Sequence, residues 1–173
     1  MSKDKNATRK KGDAQTLLNN AVAFWEAADR CYRMAHSRVG SSGRRVQVSG
    51  PAVVCYAFSV ELFLKLLGQR ASGTYLGSEH ALDELFQRLP EKLQAKIQAH
   101  YAGTGQPTGS DVAYHLHKAA RAFKEWRYVH EHDPRERDGE PLDADPEALA
   151  RIVFALRETM HEVAPELVSF LDA

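Results

Sequence analysis

Apolar residues recur along this chain mostly at spacings of three and four, which is the signature of helices with one buried face. Leu17, Leu18, Val22, Trp25, Ala28, Tyr32 and Ala35 mark a first long helix, with Asp13 as its N-cap. The Gly/Ser-rich stretch "SRVGSSGRRVQVSG" breaks it. Pro51 suits the opening turn of a second helix capped by Ser49 or Gly50, and that helix should end at Gly68 or a few residues later. The connector "TYLGSEH" leads to a short helix with Leu82, Leu85, Phe86 and Leu89 on one side. Pro90 opens another through "EKLQAKIQAHY".

After the loop "AGTGQPTGSD", Ser110 or Asp111 caps a further helix, whose stripe is Val112, Leu116, Ala119, Phe123 and Trp126. "HDPRERDGEPLDADP" reads as a charged loop. Asp145 and Pro146 form a cap and first-turn pair for a last long helix that buries Leu149, Ile152, Val153, Leu156, Met160 and Val163. Pro165 should kink or restart that helix. "RRVQVS" alternates like a strand but is short and has no partner. The pattern therefore predicts an all-α bundle of four long helices, with a short helical pair between the second and third.

Length fits a single domain over residues 13–173, preceded by a disordered basic arm, residues 1–12, with Lys3, Lys5, Arg9, Lys10 and Lys11. That arm either solubilises the chain or touches nucleic acid. Lys plus Arg and Asp plus Glu both number 23, so no long-range field draws the protein to nucleic acid or a membrane. Cys31 and Cys55 form no CxxC and sit in apolar stretches, so free thiols are expected rather than a disulfide or a zinc site. The N-terminus has no apolar core of a signal peptide, and the expectation is a cytoplasmic protein.

Two places put charge where the pattern wants a core. The second helix is apolar around most of its circumference, yet carries Glu61 and Lys65 at i and i+4, on the stripe of Val54, Phe58 and Gly68. The pair suits a core helix better than a membrane span. Either it is an ion pair with its head groups at the surface, or it is buried and hydrogen-bonded, or it lines a cleft. The second place is "FKEWRYVHEHD", where Phe123, Trp126 and His130 continue the apolar stripe and Arg127 has Glu131 one turn on. Arg127 and His132 are five residues apart, so on one ideal helix their side chains diverge by about 140°. They converge only if the helix loosens before Pro134 or if two chains pair around the segment. His115 and His117, at i and i+2, are wrongly spaced for joint metal ligation on a helix, and no metal or cofactor set is expected. Motifs for zinc proteases, P-loop proteins and serine hydrolases are missing.

"AFSVELFLKLLG", "HALDELFQRLP" and "FKEWRYVHE", in that order, resemble the HEPN family of small all-α domains found in prokaryotic toxins, defence systems and RNA-processing proteins. In that family an apolar helix carries a Glu and a Lys spaced like Glu61 and Lys65, a His like His80 precedes a short Leu-rich helix, and a late helix carries an Arg followed by a His, like Arg127 and His132. The resemblance implies an HEPN-like bundle and a homodimer. It also implies metal-independent RNA cleavage, with Arg and His from two subunits meeting at the interface. Active members commonly have a small polar residue directly after the Arg, where this chain has Tyr128, so "RYVHE" marks a subgroup. Two readings follow. One is an RNA-directed endoribonuclease of toxin or defence type, with an antitoxin or nucleotidyltransferase partner and Arg127 and His132 as catalytic residues. The other is a non-catalytic helical module, with Glu61, Lys65, His80, Tyr128, His130 and Glu131 as a binding or structural network for a partner protein or a small anionic ligand.

Overall fold

The structure, a computed structural model, describes residues 13–37, 49–73, 77–105, 111–120 and 144–168. Every element among them is a helix. These are α1 (Ala14–Ser37), α2 (Ser49–Ser72), α3 (Leu82–Gln87), α4 (Glu91–Ala102), α5 (Val112–Ala119), α6 (Pro146–Val163) and α7 (Pro165–Val168). The fold is an all-α bundle with the short pair α3 and α4 between α2 and α5. The expected basic arm and the expected continuation of α5 through Phe123 and Trp126 lie outside the described residues.

Why α2 occupies the centre follows from its composition. Ala52, Val53, Tyr56, Ala57, Val60, Phe63, Leu64, Leu66 and Leu67 are all buried, so apolar side chains leave it in nearly every direction. It packs against α1, α3 and α6. Gly50–Ser72 is long and apolar enough to cross a membrane, but most of it is buried inside the bundle, as in the core helix of a soluble protein. Small residues let α1 come close: buried Ser59 donates its hydroxyl to the Ala21 carbonyl at 2.8 Å. Tyr56 crosses the same seam and donates to Asp29 Oδ1 at 2.5 Å. Burial first, and then this bond to Asp29, hold the Tyr56 hydroxyl far above the ordinary tyrosine range.

The helix ends follow local chemistry. Asp13 accepts from the backbone N–H and the hydroxyl of Thr16, at 3.0 and 2.7 Å, Asp111 from the N–H of Ala113 at 2.9 Å, and Asp145 from the N–H of Glu147 at 2.9 Å. Helix α2 runs through Gly68 and stops at Gly73, whose φ of 68° is the left-handed conformation glycine adopts without strain. Pro165 has no N–H to continue α6, so the helix breaks at Ala164 (φ −148°, ψ 55°) and restarts as α7.

Four polar contacts fix the outer helices. Glu162 of α6 accepts from Lys96 and bonds His100 Nε2 at 3.0 Å, both on α4, and the Lys96 bond holds its carboxyl below the usual range. Gln98 of α4 accepts the N–H of Val112 at 3.0 Å, at the start of α5. Arg70 near the end of α2 pairs with Glu166 of α7. Cys31 and Cys55 are free and half-buried, and burial raises the Cys55 thiol.

Candidate functional site

Glu61 and Lys65 lie one turn apart on α2, on the side facing the connector to α3. Lys65 is 2% exposed, and its Nζ donates to Glu61 Oε1 at 2.7 Å and, at a longer 3.4 Å, to the Gly77 carbonyl of that connector. A buried ammonium requires such acceptors, because its desolvation would otherwise cost several kcal/mol, of order 5. The same Glu61 oxygen lies 2.9 Å from His80 Nδ1. A carboxylate only accepts, so Nδ1 carries the proton and Nε2 is left to act on something else. The imidazole is 70% exposed while its carboxylate is 12% exposed. One carboxylate oxygen thus neutralises a buried cation and orients an open imidazole.

The residues around His80 keep the connector in place. The first turn of α3 has no side-chain N-cap, since Ala81 stands at that position. Glu79 instead ties the connector just ahead of the helix, with Oε1 accepting the N–H groups of His80 and Ala81 at 2.9 and 3.1 Å, and Oε2 accepting from Arg88 at 2.9 Å. The Ala81 and His80 amides pull the Glu79 carboxyl below its usual range. Neighbouring Glu84 is pushed up by its hydrogen bond to Glu79 and by the repulsion between the two.

Of the residues singled out in the sequence, Glu61, Lys65 and His80 therefore meet at one point. Arg127, Tyr128, His130, Glu131 and His132 lie outside the described residues. A second carboxylate–imidazole pair carries no local sequence signal. Asp83, in the first turn of α3, has Oδ2 at 2.8 Å from His117 Nδ1 of α5, across 34 positions of chain. The two histidines of "YHLH" serve different ends: His115 is half-buried against Tyr101, with ring centroids 5.9 Å apart, while His117 points out to Asp83. Among the described residues no group of three or more His, Cys, Asp or Glu side chains is arranged to hold a metal ion.

No family model matches the chain, and neither the curated proteins nor the solved structures contain a match.

Proposed function

We propose that this chain is an HEPN-like, cytoplasmic homodimer that cleaves RNA without a metal, as a toxin or defence endoribonuclease. The observation that carries the proposal is the meeting of Glu61, Lys65 and His80 on one carboxylate oxygen. Those are three of the positions on which the family resemblance rests, and His80 is brought from 19 residues away. Buried charge of this kind tends to accompany a functional site, because it costs stability that an apolar core would retain.

In the proposed reaction His132 removes the proton of a ribose 2′-hydroxyl, whose oxygen attacks the adjacent phosphorus. The phosphorus–5′-oxygen bond breaks as the new bond forms, and the departing oxygen takes up a proton. Arg127 holds the charge that builds on the phosphate oxygens. Arg127 of one chain and His132 of its partner supply the two roles, which removes the divergence expected on a single helix. An antitoxin or a nucleotidyltransferase is the natural partner of such a protein.

One experiment tests this reading. Purified protein, freed of co-purifying partners, is sized by light scattering and incubated with single-stranded RNA. The expected results are twice the 19.3 kDa chain mass and cleavage that survives EDTA. Arg127→Ala and His132→Ala should each abolish that cleavage. A monomer, or RNA left intact by the wild type, overturns the reading.

A specific observation favours a second reading, the helical module that binds a partner protein or a small anionic ligand. The Lys65 charge is already satisfied inside the fold by Glu61 and the Gly77 carbonyl. Such a node staples the α2–α3 connector to α2 without doing chemistry. Under this reading Arg127→Ala lowers stability, His132→Ala changes little, and RNA survives.

A further inference from the structure

The cleavage described above leaves a 2′,3′-cyclic phosphate on one product, because the 2′-oxygen takes the place of the 5′-oxygen on phosphorus. His132 ends that step holding the hydroxyl proton. Opening the ring with water therefore needs a base that is still free, and His80 has the form of one. Its Nδ1–H is engaged by Glu61 Oε1 at 2.9 Å, so the lone pair of the neutral ring sits on Nε2, and the imidazole is 70% exposed. Buried Lys65, 2.7 Å from the same oxygen, already balances the Glu61 charge, so the carboxylate orients the ring without requiring it to be charged. The backbone beneath the ring is pinned as well. Glu79 Oε1 accepts the N–H of His80 itself at 2.9 Å, and Glu79 Oε2 is held by Arg88. Carboxylate–imidazole pairs fixed at one ring nitrogen and open at the other take protons from hydroxyls and water in this way.

We propose that His80 is a second catalytic base, which activates water to open the 2′,3′-cyclic phosphate to a 3′-phosphate. Nε2 removes a proton from water, whose oxygen forms a bond to phosphorus. The phosphorus–2′-oxygen bond breaks, the 2′-oxygen takes up a proton from solvent, and the open imidazole returns its own to solvent. Water is the only reactant besides the RNA end. Glu61 and Lys65 act through the ring, as positioning residues. Lys65 is satisfied by Glu61 and the Gly77 carbonyl, so the imidazole is not needed to neutralise the buried charge and its outer nitrogen is left for chemistry. The inference rests on the RNA reading given above and adds a second reaction to it.

The test substrate is a ten-nucleotide 2′-O-methyl oligouridylate ending in a 2′,3′-cyclic phosphate, which has no free 2′-hydroxyl for chain cleavage and so reports ring opening alone. Opening adds the mass of one water and makes the phosphate removable by a phosphatase. The wild type should open the ring. His80→Ala, a mild change to the fold because the imidazole is mostly in solvent, should open it about 100-fold more slowly or worse. Free imidazole added to His80→Ala should restore part of the rate, which it could not do for a lost structural contact. A His80→Ala variant that opens the ring at the wild-type rate, or whose loss imidazole does not rescue, overturns the assignment. A wild type that cuts RNA but leaves this ring closed overturns the second step alone. A wild type that does neither removes the RNA reading with it.

Discussion

Replacing Lys65 with methionine removes one charge and one donor from the centre of the bundle while keeping most of the side-chain volume. Glu61, with its side chain 12% exposed, is then left with His80 as its remaining side-chain donor. Stranding one member of a buried pair costs about 3–5 kcal/mol. Glu61 keeps its bond to an exposed imidazole and some contact with water, which places the expected loss near the lower end, at about 3 kcal/mol. For a domain of this size that corresponds to a fall in Tm of roughly 6–12 °C. The double variant Lys65→Met, Glu61→Leu removes both charges and should return to within about 1 kcal/mol of the wild type. His80→Ala alone should cost under about 1 kcal/mol, because the ring is mostly in solvent. Urea titrations of the wild type, Lys65→Met, Glu61→Leu and the double variant close the thermodynamic cycle. A Lys65→Met variant that loses less than about 1 kcal/mol, or a double variant whose cost equals the two single costs added, would refute the reasoning.

Two further outcomes follow from the fold. Tyr32, Tyr56 and Tyr101 all have hydroxyls raised above the ordinary range, with burial the largest cause in each. A raised folded value favours the neutral form, so this contribution to stability is complete below about pH 10 and is lost as the pH rises above it, where only the unfolded chain ionises. Absorbance at high pH should therefore show these tyrosines ionising together with unfolding, and all six tyrosines titrating in a chain that stays folded would contradict this. Asp145→Ala removes the cap of α6 and should cost about 1 kcal/mol, whereas Asp145→Asn should retain most of it. Thermal melts distinguish the two.

Local chemistry made much of this fold legible. The carboxylates expected to cap α1, α5 and α6 do so, because a cap needs only its own helix. Leu82, Leu85, Phe86 and Leu89 lie inward together for the same reason. Glu61 and Lys65 pair as their four-residue spacing requires, but spacing could not choose between a surface pair and a buried one. That choice depends on the Gly77 carbonyl and on His80, which the connector brings over α2. The Asp83–His117 and Tyr56–Asp29 bonds, and the seating of Lys96 and His100 on Glu162, had no signal along the chain. Periodicity tells which residues share a face, not which helix comes to meet that face. Val54 and Phe58 show the same limit: α2 is apolar around its girth, and packing alone leaves these two half-buried.

The central position of α2 has a consequence for synthesis. Its α1 partner precedes it, whereas α6 begins about 70 residues later, roughly 4–15 s at ordinary translation rates. During that interval the growing chain presents, without its final cover, a segment from Gly50 to Ser72 that meets the length and apolarity of a bilayer span. Glu61 falls at the midpoint of that segment, with Lys65 four residues on. A charge near the centre of a span raises the free energy of insertion by about 2.5–3.5 kcal/mol. Before the bundle closes, the same two side chains therefore bias the nascent helix towards water and away from the translocon.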